Sequence, residues 1–257
     1  HRAGNHPRGP ASDSRVSIIG AMARASAPAF TPGAITFLRR LKRHNDREWF
    51  RAHKADYLRL VREPLEALLA RIDQEFRGFA PELVAAPAVS LFRIHRDTRF
   101  SADKSPLKTQ IGAVFPDRRL PRKAGAGLYL EIGPDGTLIA GGLYAPTPPE
   151  LRRVRLHLAQ TPPRLRPILR APSFVRNTGG LSGARLVRVP RGFAADHPAA
   201  EYLRYRQYLA QASFPADFAT TPAFVPAVVR TFRAVAPLVT YLNDALLPSL
   251  DGPGRRT

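Results

Sequence analysis

Leu128-Tyr129-Leu130-Glu131-Ile132-Gly133-Pro134-Asp135-Gly136-Thr137-Leu138-Ile139-Ala140-Gly141-Gly142-Leu143 carries the clearest structural signal in the chain. Two short apolar arms, 128–132 and 138–143, flank Gly-Pro-Asp-Gly, in which proline presets the turn and glycine supplies positive φ. This pattern predicts an antiparallel hairpin. Gly141-Gly142 inside the second arm marks a bulge or a close approach of another backbone.

Moving toward the N-terminus, strands are expected over 110–115 and over 88–95, where Val89, Leu91, Arg93 and His95 alternate with Ser90, Phe92 and Ile94. Earlier still the period becomes helical. Thr31-Pro32 opens a short helix through Leu41, with Phe30 placed to staple onto Ile35. Asn45 with Glu48 resembles a capping box leading into Trp49-Phe50 and Tyr57-Leu58. Pro64 kinks or restarts that helix, and Leu65, Leu68, Leu69, Ile72 and Phe76 then recur on one face until Gly78.

Beyond the hairpin the reading is a helix over 149–158, a strand over 185–189, a helix over 199–210 and a terminal helical segment over 221–247 broken at Pro226 and Pro237. Helices, then antiparallel strands, then helices again predict an α+β fold. The expected architecture is a mainly antiparallel sheet of about five strands, packed by N-terminal and C-terminal helices in a single domain over 30–248. Residues 1–29 and 249–257 are expected to be disordered tails. The only methionine, Met22, is the expected start, which would make the preceding residues upstream translation. Export is not expected, because Val16 to Ala23 is short and weakly apolar and Arg24 separates it from Ala25-Ser26-Ala27.

The chain has 257 residues and 44% hydrophobic content, enough for a full core. It contains no cysteine, which excludes disulfides, thiolate metal sites and cysteine nucleophiles and makes the cytoplasm the expected compartment. No uninterrupted apolar run approaches the roughly 20 residues of a membrane span, so no membrane association is expected. Oligomeric state is left open by the sequence. The formal net charge is +20, with 35 of the 40 basic residues being Arg. Residues 151–195 hold no Asp or Glu and ten Arg, half of that net charge. Such a segment is either a solvated basic exterior or a phosphate-contacting nucleic-acid face. Its only aromatics, Phe174 and Phe193, are too few for a base-stacking platform.

Phosphate-loop, nucleophile-elbow and dinucleotide signatures are absent, and His44, His53, His95, His157 and His197 are too scattered to form a metal motif. Neither metal nor cofactor is expected. One run stands out. Arg93-Ile94-His95-Arg96-Asp97-Thr98-Arg99-Phe100-Ser101-Ala102-Asp103-Lys104-Ser105-Pro106-Leu107-Lys108-Thr109 holds five Arg or Lys, four hydroxyls and two carboxylates. Crowded like charges repel, so the run implies an ion-pair network or a site for an anion. The candidate ligand-binding residues are Arg93, Arg96, Asp97, Arg99, Ser101, Lys104, Ser105, Lys108 and Thr109, since guanidinium forks, ammonium groups and hydroxyls suit phosphate or carboxylate. Asp97 and Asp103 are the candidate general bases should the site be catalytic. Trp49-Phe50 is expected to pack in the core.

The chain resembles an uncharacterised family of bacteria and fungi, domain of unknown function 2461. The resemblance rests on Asn45-Asp46-Arg47-Glu48-Trp49-Phe50, on the block from Arg96 to Thr109, on Gly141-Gly142 with Tyr144, on Arg155, on Pro190-Arg191-Gly192-Phe193 and on Asp196-His197-Pro198. Leu107 stands where the family pattern usually has Tyr, and Asp46 where a second Asn is common. The resemblance implies no reaction, cofactor or partner. From the residues, the leading expectation is a pocket for a phosphorylated or otherwise anionic small ligand at 93–109. The alternatives are an enzyme acting on a phosphate ester or nucleotide, a sequence-nonspecific RNA- or DNA-binding protein using 151–195, and an ion-pair cluster without a ligand.

Overall fold

The computed structural model describes residues 27–99, 101–121 and 123–247. The expected start at Met22 and the tail at 249–257 lie outside the described residues, as does the expected tail 1–29 up to residue 26. The first helix, α1 (Pro32–Arg43), begins with Pro32 at a position that needs no N–H and buries Ala34, Ile35, Phe37, Leu38 and Leu41. Thr31 holds the N-cap position without a side-chain bond. Next come α2 (Arg47–Ala52) and α3 (Lys54–Tyr57). Asp46, not Asn45, caps α2, accepting from the Trp49 N–H at 2.7 Å. A wider π-helical turn, Leu58–Arg62, comes just before Pro64, which has no N–H to offer the carbonyl four residues back. The helix resumes as α4 (Glu63–Phe76), burying the five apolar residues that its spacing singles out.

A short helix, α5 (Pro87–Ser90), leads to β1 (Ile111–Pro116), β2 (Gly127–Ile132) and β3 (Thr137–Leu143). An excursion through α6 (Pro148–Gln160), α7 (Pro162–Arg170), α8 (Pro172–Thr178) and α9 (Ala200–Leu203) returns the chain to β4 (Tyr208–Phe214). The sheet order is β1-β2-β3-β4, antiparallel throughout. The α+β class and the antiparallel sheet therefore stand as expected, with four strands where about five were expected. The hairpin pairs Ile132 with Thr137 and Gly127 with Gly142. Its turn closes through the Gly133 N–H, which donates to the Gly136 carbonyl at 2.8 Å, and neither glycine takes positive φ.

Neither of the strands expected over 88–95 and 185–189 forms a ladder: residues 88–90 lie in α5, and the rest is irregular chain with isolated bridges. Pro87 opens α5, and beyond it only isolated bridges form, Leu91 with Ala113 and His95 with Leu107. On the opposite edge, Ser182 bridges Leu209 and Arg185 bridges Tyr205. These segments partly cover the outer strands' unpaired backbone groups. The helix expected over 199–210 ends after one turn, because Tyr208 and Ala210 turn inward while Leu209 and Gln211 turn outward with the period of a strand.

The last helix, α10 (Phe224–Asp244), runs unbroken past Pro226 and Pro237 and packs on β3 and β2. By length and composition it could cross a bilayer, but 67% of its most apolar window is buried within the fold. Gly141 lets it sit close. A Cβ there would lie 2.6 Å from Leu128 Cδ2 and 2.7 Å from Val235 Cγ1. Gly142, at φ 126°, meets the Tyr208 carbonyl so closely that no side chain fits. Near the end of α10, Asn243 receives the Ala126 N–H at 2.7 Å and donates to the Ala126 carbonyl and to Asp117. Burial alone would raise the fully buried Asp117 carboxyl, but the Arg119 guanidinium at 2.6 Å holds it below its ordinary value.

Candidate functional site

The charged run folds as a narrow loop on a two-sided base. The Arg96 N–H donates to the Pro106 carbonyl at 2.9 Å and the Lys108 N–H to the Ile94 carbonyl at 2.8 Å, on either side of the His95–Leu107 bridge. Asn45 anchors this base to the N-terminal helices. Its Nδ2 donates to the Leu107 carbonyl at 2.9 Å, and its Oδ1 accepts the Leu107 N–H at 3.0 Å. One amide thus extends the ladder as a backbone would, while the Leu107 side chain is buried in the core.

Much of the loop's charge is internally partnered. Asp97 receives the Arg99 guanidinium at 3.0 and 2.7 Å on the exposed side, and this bond holds its carboxyl below the usual carboxylate range. Asp103 accepts from Ser105 Oγ at 2.6 Å and from Arg96, and these bonds depress its pKa further. Arg96 also reaches Ser101 Oγ at 3.3 Å, and Lys104 donates to the Thr98 carbonyl at 3.0 Å.

Between this loop and the sheet lies a cleft of about 580 Å³. Of the residues singled out in the sequence, Arg96, Asp103, Ser105, Lys108 and Thr109 line it, whereas Arg93, Asp97, Arg99, Ser101 and Lys104 do not. Lys108 is half-buried, with Nζ 4.6 Å from the centroid of the Phe92 ring. Among the described residues it enters no ion pair, whereas Lys42 on the same wall is paired with Asp135 at 2.6 Å. Burial first, and the nearby Arg93 charge second, push the Lys108 ammonium below its ordinary value, with Glu131 partly offsetting them.

The sequence reading missed the cleft's other wall. Phe92, Tyr129 and Glu131 line it, and the Tyr129 hydroxyl donates to Glu131 at 2.6 Å. Burial and that carboxylate raise the phenol well above its usual value. The missed signal was the alternation in β2, where Tyr129 and Glu131 are the polar positions of an otherwise apolar strand and so turn away from the core.

The arginines of 151–195 do not converge on the cleft. Arg155 donates to the Tyr205 carbonyl at 3.0 Å, Arg166 to the Pro198 carbonyl at 2.8 Å, and Arg164 pairs with Asp244 at 2.9 Å. His197 Nδ1 receives the Ala199 N–H at 3.0 Å, which shapes the loop before α9. Among the described residues, no group of three or more His, Asp or Glu side chains is placed to hold a metal ion.

Among the described residues, helices cover one face of the antiparallel sheet, and the other face bears an open cleft beside a loop that Asn45 pins in place. Together these features define an α+β protein with a preformed polar cavity on its uncovered side. Residues 33–241 match the model of the conserved hypothetical protein family DUF2461, and the chain belongs to that family. No curated protein and no solved structure matches the chain.

Proposed function

We propose that the cleft binds a small phosphorylated or otherwise anionic molecule, with Lys108 as its charge partner; Ser105 and Thr109 line the cleft, their hydroxyls donating to Asp103 and Gln110. The observation that carries this reading is the half-buried Lys108 ammonium, which faces the cleft with an aromatic ring beneath it and no carboxylate within ion-pair distance among the described residues. An anion entering there would restore the interaction that Lys108 lost on leaving water. Arg96 frames the wall, and its ties to Asp103 and Ser101 keep the loop in shape. Binding fits better than catalysis. Asp97 lies outside the cleft, and Asp103 is occupied by Arg96 and Ser105, so neither candidate base is free to take a proton.

The test is thermal unfolding of the full chain against a panel of phosphorylated metabolites and nucleotides, repeated with Lys108→Ala. A ligand at ~100 times its dissociation constant adds ~2.7 kcal/mol to folding stability. The expected result is a rise in Tm with at least one phosphorylated compound, lost in the variant. No rise with any of them, or one that persists undiminished in Lys108→Ala, overturns the reading.

A further inference from the structure

A second cavity, of about 560 Å³, adjoins the first on the same uncovered sheet face. Phe92, Tyr129 and Glu131 belong to the walls of both, so the two form one trough with chemically different ends. The first end carries Lys108 and the hydroxyls. The second is mainly apolar, with Leu138, Ala140 and Leu209 on the strands and Tyr144, 71% exposed, at its rim.

The strand registers explain its shape. Gly112 sits opposite Glu131, Ala140 opposite Tyr129, and Gly142 opposite both Gly127 and Leu209, so small residues recur across the outward face. Side chains this small leave a low, flat floor. Phe92 stands beside it, 41% exposed, with its ring centroid 6.2 Å from that of Tyr129. A flat floor beside an accessible ring suits a planar partner, which buries apolar area and stacks without needing an enclosed channel.

We infer that the ligand of this trough is amphipathic, an anionic head at Lys108 joined to a planar aromatic body lying against Phe92 and over the Ala140–Gly142 floor toward Tyr144. The inference rests on the anion reading of the Lys108 end and adds the class of molecule that end would hold. The occupant is a small aryl phosphate or a molecule of equivalent layout. Lys108 anchors the head, because at the other end of the trough the Lys123 and Glu150 charges are of opposite sign and are set among mainly apolar side chains.

The experiment is calorimetric titration of the full chain with inorganic phosphate, 1-naphthyl phosphate and 1-naphthol. The expected result is 1-naphthyl phosphate binding at least about tenfold more tightly than inorganic phosphate. Ala140→Leu, which raises the floor away from Lys108, should abolish that advantage and leave inorganic phosphate binding unchanged. Gln211→Trp, which fills the trough from its exposed edge, is the second blocking variant should Ala140→Leu fail to fold. Equal binding of the two anions overturns the aromatic body and leaves the anion site standing. Binding of 1-naphthol without either anion overturns the anion reading and this inference with it. Absence of binding by all three overturns both.

Discussion

Asn45 shows how one side chain can hold a loop in place through its backbone. Asn45→Ala removes two hydrogen bonds and leaves the Leu107 N–H and carbonyl without that partner, so it should cost about 2 kcal/mol in denaturant unfolding. Asn45→Asp should cost at least as much, because a carboxylate cannot donate to the Leu107 carbonyl. Lys108 gives a prediction in pH. Its folded pKa lies below the ordinary lysine value, and a bound anion favours the charged form. Affinity should therefore be highest while Lys108 is protonated and fall as pH rises through that lowered pKa. In the absence of ligand the sign for stability is opposite. The unfolded chain holds the proton to higher pH, so the Lys108 contribution becomes more favourable as pH climbs from the folded toward the unfolded pKa. Ligand titration from neutral to alkaline pH, with Lys108→Met as the pH-insensitive control, measures the first effect. The run 93–109 was legible as anomalous because its charges cannot be ignored. Which members face the cleft depends on where the loop turns, and residue types do not encode that.

Among the elements, β3 carries the tightest geometric demands. Gly142→Ala must place a Cβ against the Tyr208 carbonyl at positive φ, breaking β3–β4 pairing at a cost of about 3 kcal/mol or more. Gly141→Ala presses on the Leu128 and Val235 side chains, which can partly give way, and should cost about 1–2 kcal/mol. Urea midpoints of the two variants compare them directly, and Gly141→Ala proving the more damaging would refute this ranking. The hairpin, α1, α4 and α6 were readable because their apolar periods agree with the prolines that open the helices and sit in the turn. The strand β4 was hidden. Ala210 and Ala212 favour a helix in isolation, and pairing with β3 overrides that weak preference.

Across the whole molecule, one continuous cluster of buried residues runs from Phe30 through the sheet to Leu246. Phe76, Phe115 and Phe232 meet in it from α4, β1 and α10, with centroids 5.1 to 6.1 Å apart. Shared side chains of this kind couple the N-terminal helices to the rest, so the fold should unfold as one unit. Trp49 fluorescence, which reports the N-terminal helices, and far-UV circular dichroism should give superimposable denaturant transitions. An earlier fluorescence transition would show that those helices come away separately.

The amino-acid sequence determined the fold class, the central hairpin, the family and the presence of an unusual charged run, because periodicity, turn chemistry and motif spacing are local properties of the chain. The trough was decided in three dimensions. Phe92, Lys108 and Tyr129 meet only because Asn45 holds the loop base and β1 pairs with β2, and the uncovered sheet face exists because α10 occupies the opposite one. Contacts between residues so far apart in sequence form when tertiary burial repays their ordering entropy, and no local pattern records that balance.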